Sequence, residues 1–260
     1  MSGFDTTWLD LREPADHAAR DADLLETARK FLHAGGPSPL AVDLGSGTGS
    51  TLRAFGPDGQ TRWRLVDYDP RLLEAAVSRL EGFPQVERME ADLAHLDPAV
   101  VADARLVTAS ALFDLASQEL VERVADLLAE RKIGLYAALN YDGVNRWEPL
   151  ADGDDEMLAA FNAHQATDKG LGTALGPQAA EALRAAFERR GYEVRVAPSP
   201  WRLDDGQRAL ETALRDGFVA AVRETGRVEA RRIDAWQAAR STQLVRSHVG
   251  HWDVLALPKA

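Results

Sequence analysis

The sequence contains no cysteine, which excludes disulfides, thiolate metal ligands and a thiol nucleophile. Any chemistry must use oxygen and nitrogen groups. The six histidines are scattered without metal-ligand spacing, so no metal is expected. No run approaches the roughly 18 apolar residues of a membrane helix. The opening MSGFDTTWLDLREPAD places acids where a signal peptide needs basic residues and then an apolar core; a soluble cytoplasmic protein is expected. Basic residues are the minority, 30 Lys and Arg against 41 Asp and Glu, for a net charge of -11. Binding nucleic acid requires a dense basic footprint, so the expected partner is a small-molecule substrate, with no nucleic acid and no membrane. Nothing in the composition bears on oligomeric state.

What is present is 260 residues at 45% hydrophobic, enough for one large α/β domain. Residues 14–33, PADHAARDADLLETARKFLH, open on a proline suited to a first helical turn and repeat apolar groups at helical spacing. They give a helix within an N-terminal helical segment, residues 1–38. Leu40 to Leu44 is a strand, as are Trp63 to Asp67, Val86 to Met89, Arg105 to Ser110 and Ile133 to Asn140. Asp69 and Pro70 mark a helix start as N-cap and first turn, and another helix begins near Ser117. Alternation with short connections implies a parallel sheet covered on both faces. After Asn140 the pattern changes. Residues 141–152 read as loop, 153–169 as helix, GLGTALGP as a hinge, 177–190 as helix and YEVRVAP as strand. Residues 205–245 read as one long helical stretch, and VGHWDVLALP as the final strand. No repeat or linker divides the chain. A single domain over 1–260 is expected, with helical cap segments at about 144–190 and 205–245.

The first strand runs into VDLGSGTGS, with Gly45, Gly47 and Gly49 at alternate positions. Such a turn needs positive φ or a close approach to the main chain. The dinucleotide fingerprint fails because Ser50 stands where its third glycine belongs, and the phosphate-loop pattern fails because no lysine follows. D-x-G-x-G-x-G, from Asp43, instead resembles the first motif of class I S-adenosylmethionine-dependent methyltransferases. Asp67 ends the second strand, VDYDP resembles the family's V-D-x-S-P, EADLAHL its G-D-x-x-x-L with Ala91 for the glycine, and LVTASALFDL its fourth-strand motif. The resemblance covers about residues 39–140.

The resemblance implies a doubly wound, Rossmann-like α/β fold with a seven-stranded sheet, mostly parallel with the last strand antiparallel, plus helical cap insertions. It implies S-adenosyl-L-methionine as cofactor. Asp43 would stand near the methionine amino group, Asp67 would accept the ribose hydroxyls and Asp92 the adenine amino group. Gly45, Ser46, Gly47 and Gly49 would line the methionine end, with Tyr68, Leu93 and Ser110 beside these positions. Arg20 reads either as a ligand of the methionine carboxylate or as a solvated helix charge.

Three residues are the catalytic candidates. Asp114 and Tyr141 follow strands four and five, at the methyl-transfer mouth. His164 shares a helix face with Met157 and Phe161 in the cap and reads equally as a base or as packing. His248, His251, Trp201 and Trp252 read as pocket walls or, more simply, as packing. The N-P-P-[YF] tetrad of amide methyltransferases is absent after strand five, where LNYDG stands. The expected activity is methyl transfer to an oxygen or nitrogen of a small metabolite. The rivals are a cofactor-binding subunit or sensor without turnover and, against the glycine spacing, a nicotinamide oxidoreductase.

Overall fold

The computed structural model describes residues 5–80, 82–83, 85–241 and 246–259. Two helices, α1 (Thr6–Ala19) and α2 (Ala22–His33), precede β1 (Leu40–Leu44), α3 (Ser50–Phe55), β2 (Arg62–Asp67), α4 (Pro70–Val77) and β3 (Val86–Glu90). The chain continues through β4 (Ala104–Ser110), α5 (Gln118–Arg131), β5 (Gly134–Glu148), α6 (Asp154–Gln165), α7 (Ala179–Glu188) and β6 (Tyr192–Pro198). It closes with β7 (Trp201–Leu203), α8 (Arg208–Thr225), α9 (Ala230–Ser241) and β8 (Arg246–Pro258). The sheet runs β3-β2-β1-β4-β5-β8-β6, with β7 on β8. β1 pairs in parallel with both β2 and β4, so the strand order reverses there and a ligand crevice opens beyond the ends of β1 and β4. β8 is antiparallel to β5 and β6.

Every residue of β1 is buried, as a central parallel strand requires. Val42 and Leu44 pack with Val107, Leu128, Leu183 and Phe187 on one face. Ala41 packs with Leu24, Leu32, Leu65 and Tyr136 on the other. The expected helix starts are present: Asp69 caps α4 by accepting from the Arg71 amide, with Pro70 in the first turn, and Ser117 caps α5. Among the described residues no helix is long and apolar enough to cross a membrane.

Five expectations need correction. The N-terminal helix is two helices, and Pro14 lies inside α1 rather than at its start, because Asp5 supplies the N-cap. α1 ends at Arg20, whose ψ of 137° is extended, and Asp21 caps α2 by accepting from the Leu24 amide at 2.8 Å. Residues 141–148 are not loop but the continuation of β5, pairing with β8 through Tyr141 opposite His251, Asn145 opposite Val249 and Trp147 opposite Ser247. Asp142-Gly143 marks a register shift between Tyr141 and Asn145. The 205–245 stretch is α8 and α9, parted at Gly226 with φ 63°, and residues 242–245 lie outside the described residues. GLGTALGP is docked against the segment after β4, with the Leu175 amide donating to the Ala116 carbonyl at 2.8 Å. Among the described residues the sheet has eight strands rather than seven; the extra one, β7, is too short to show a period in sequence.

The extended β5–β8 ribbon carries α6, α8 and α9 as a cap. Trp147 packs on Phe218 and Trp236 at centroid distances of 4.8 and 5.2 Å, and Phe161 stacks on Phe218 at 4.5 Å. Arg240, 2% exposed, closes this cluster. It pairs with Asp154, donates to the Pro149 carbonyl at 3.2 Å and lies over the rings of Trp147 and Trp236.

Candidate active site

The turn after β1 takes the shape that its glycines permit. Gly45, Gly47 and Gly49 have φ of 62°, 52° and 82°, a left-handed region that costs an L side chain about 1–2 kcal/mol per residue. Ser46 donates its amide to the Val66 carbonyl at 3.0 Å, and Gly49 donates to the Ser46 carbonyl at 2.8 Å. Asp67 locks the turn from the end of β2, one oxygen accepting from the Gly47 amide at 2.8 Å and the other from the Asp69 amide at 3.0 Å. Burial outweighs these bonds and raises its pKa.

Among the described residues, three buried groups around the turn keep hydrogen-bonding capacity unused. Asp43 is 1% exposed; its Oδ1 accepts from the Thr108 hydroxyl at 2.7 Å, while Oδ2 has no well-formed partner. Burial, opposed by Thr108 and Arg20, pushes its pKa up to about 7. Arg20 is buried, which removes the solvated reading. Its Nη2 donates to Ser110 at 3.1 Å and Thr51 at 3.4 Å, while Nε and Nη1 are without well-formed bonds. The Ser46 hydroxyl is likewise buried and free. A buried polar group without a partner costs about 1–3 kcal/mol. Two guanidinium donors, a carboxylate oxygen and a hydroxyl match a ligand that carries both a carboxylate and an ammonium group, which fits the methionine end of the expected cofactor.

Tyr68 is exposed beside Asp67. Asp92 caps a short 3-10 turn by accepting from the Ala94 amide at 2.9 Å. It also meets the His95 Nδ1 at 3.0 Å, the contact that most lowers its pKa. Leu93 beneath it is buried.

The second part of the site lies past β4 and β5. Asp114 has a sealed Oδ1 without a partner among the described residues, and burial pushes its pKa up to about 6, against the attraction of Arg12. The Asp114 carbonyl accepts from the Gly176 amide at 2.9 Å. Tyr141 is buried and donates to the Asn162 side chain at 2.8 Å. Its pKa is raised by burial and by the negative charges of Asp142 and Asp114. Tyr141 also meets Phe161 and His251 edge-on. The structure therefore brings Asp114 and Tyr141 together. His164, one turn beyond Phe161, is bonded elsewhere, to Glu224 at 2.9 Å and Lys169 at 3.1 Å.

No protein-family model matches the chain, and no curated protein does. Solved structures do. The BH2331 protein of Bacillus halodurans C-125, described as a candidate methyltransferase, aligns over 90% of this chain and 99% of its own at 14% identity, TM-score 0.54. The fold is that of the class I methyltransferases. The YcgJ protein of Bacillus subtilis aligns over 92% and 100% at 13% identity, TM-score 0.55. YjhP of Escherichia coli aligns over 98% and 100% at 17% identity, TM-score 0.50.

On this methyltransferase fold, α1 crosses the mouth. A Cβ on Gly47 would stand 3.3 Å from Leu9. Arg12, Asp16 and Arg20, at i, i+4 and i+8, form one stripe that sequence reading did not connect. Arg12 chelates Asp16 at 2.9 and 3.1 Å and lies 5.0 Å from the Trp201 ring centre; Trp201 donates to Asp16 at 3.0 Å. His251 is buried with its Nδ1 unpaired among the described residues, and burial, aided by Arg12, pushes its pKa down to about 3. The stripe's spacing was the available signal; its partners on β7 and β8 were not. An open cleft of about 540 Å³ lies on a different face of α1, where its arginines pair with Glu13 and Asp10.

Proposed function

We propose that the chain is an S-adenosylmethionine-dependent methyltransferase acting on an oxygen or nitrogen of a small molecule admitted beneath the cap. The observation that carries this reading is the set of unpartnered buried groups on Arg20, Asp43 and Ser46 around the left-handed glycine turn. The net charge of -11 supports a small acceptor over a nucleic acid.

When bound, the cofactor supplies an electrophilic methyl group on a sulfonium. Arg20 would hold its carboxylate, Asp43 and Ser46 would accept from its ammonium, and Asp67 would accept from the ribose hydroxyls with the lone pairs its two amide bonds leave over. Asp92, Tyr68 and Leu93 border the adenine. Because the transfer is an in-line displacement, positioning supplies much of the rate. Asp114 takes the acceptor's proton, its raised pKa placing it close to neutrality, where a general base is most effective. Tyr141 and Trp201 wall the acceptor and exclude water.

Asp67→Asn tests the cofactor half. An amide at this position turns a donor toward either the Gly47 or the Asp69 amide and loses the charge that attracts the ribose. Calorimetry is expected to show S-adenosylhomocysteine affinity falling roughly 10- to 100-fold, the span of a hydrogen bond to a charged group. Unchanged affinity would refute the ribose role. His164 is assigned to holding the cap through Glu224 and Lys169. His164→Ala is expected to leave kcat within about threefold, whereas a loss of about a hundredfold or more, the mark of a general base, would move proton transfer to His164.

A further inference from the structure

Asp253 on β8 is 0% exposed, and no step above uses it. Three donors converge on its carboxylate, one from the start of α2 and two from β5. Oδ2 accepts from the Asp21 amide at 3.0 Å and from the Tyr136 hydroxyl at 2.9 Å, and Oδ1 accepts from the Leu139 amide at 2.9 Å.

Each donor belongs to a feature that shapes the site. Asp21 is the first residue past the break between α1 and α2, so fixing its amide fixes the direction in which Arg20 leaves the helix. The Tyr136 ring underlies Arg20, whose guanidinium carbon stands 5.9 Å from the ring centre. Leu139 has φ 57°, left-handed for a non-glycine residue, at the register shift between Ala137 and Asn140 in β5. The Asn140 side-chain Nδ2 spans that shift, donating to the Ala137 and Trp252 carbonyls, and the next residue is Tyr141 at the acceptor mouth. Holding the Leu139 amide therefore holds a strained residue that turns β5 toward the mouth.

A buried charge costs several kcal/mol unless it is paired and hydrogen-bonded. Tying two amides and a phenol needs only a neutral acceptor. A full charge is useful because Arg20 stands close by, buried, with two nitrogens that lack a well-formed bond among the described residues. Burial disfavours the Arg20 cation, and Tyr136, Asp253 and Asp16 more than restore it.

We infer that Asp253 is a positioning residue for the proposed cofactor site, aiming and charge-balancing Arg20 so that its free donors meet the cofactor's carboxylate. The inference rests on the cofactor reading given above.

The test compares two ligands by calorimetry. S-Adenosylhomocysteine carries the amino-acid end, and 5′-methylthioadenosine has the same nucleoside and sulfur without it. In Asp253→Asn either orientation of the amide sets its NH2 against a backbone N–H, of Leu139 or of Asp21, and the charge near Arg20 is gone. S-Adenosylhomocysteine binding is expected to weaken by about tenfold or more, in the range of a charged hydrogen bond, with methylthioadenosine held within about twofold. Tyr136→Phe, which removes only the hydroxyl between Asp253 and Arg20, should give a smaller loss with the same selectivity, and it stands as the test if Asp253→Asn does not fold. Equal losses for both ligands, or none for either, would overturn the positioning role. A wild-type chain that binds neither ligand would overturn the cofactor reading, and this inference with it.

Discussion

Replacing Asp114 with asparagine is expected to stabilise the protein at pH 8 while lowering turnover by about 10²- to 10⁴-fold, the usual contribution of a general base. The Asp114 pKa rises from 3.8 unfolded to about 6 folded. Between those values the folded state binds a proton that the unfolded state has lost, so wild-type stability falls as pH rises through the window and stays lowered above it. Two units correspond to about 3 kcal/mol, which asparagine avoids because it has no proton to lose. For a chain of this size that is roughly 5–10 °C in melting temperature. Melting both proteins across pH checks the sign: the mutant's advantage should be full above pH 6 and should shrink toward nothing near pH 4. A mutant less stable at pH 8 would show that the carboxylate is held by a favourable partner. Unchanged turnover would remove Asp114 from the chemistry.

Arg240→Ala is expected to cost about 3–5 kcal/mol, the typical loss on breaking a buried ion pair from one side. The substitution leaves Asp154 without its cation and the Pro149 carbonyl without a donor, and it uncovers Trp147 and Trp236. Arg231 on the same helix, exposed and paired with exposed Glu229, is the control, with an expected change within about 0.5 kcal/mol. Denaturant midpoints for the two variants measure the difference. A loss below about 1 kcal/mol for Arg240→Ala would mean that aromatic packing holds the cap without the ion pair.

The half of the fold up to Asn140 was legible because parallel strands bury both faces and helices keep a 3.6-residue period, so local pattern and global topology agree. Asp69-Pro70 and Ser117 marked their helix starts without any tertiary information. The extension of β5 was not legible, since Asp142-Gly143 carries the same chemistry in a bulge as in a turn, and the partner strand lies about a hundred residues onward. Pro14 resembled a helix start because its φ suits either place; Asp5 decided otherwise.

The candidate site divides the same way. The glycine turn, Asp43 and Asp67 could be read because one contiguous strand-turn-helix unit holds them in order. The state of Arg20 could not, because the groups that face it in its buried place include Tyr136 on β5 and Asp253 on β8. His251 and Trp201 read as packing for the same reason: their neighbour Arg12 comes from α1, roughly two hundred residues earlier in the chain. Side chains placed by long-range pairing leave no local period.

Arg20, Asp43 and Ser46 are proposed to hold the amino-acid end of S-adenosylmethionine through their unpartnered groups. Calorimetric titration of the wild-type chain with S-adenosylhomocysteine, beside an identical titration with NAD, tests it most directly. Saturable one-site binding of S-adenosylhomocysteine with no heat from NAD is the predicted result. Binding of NAD, or of neither ligand, would contradict the claim and leave a methyltransferase fold serving another purpose.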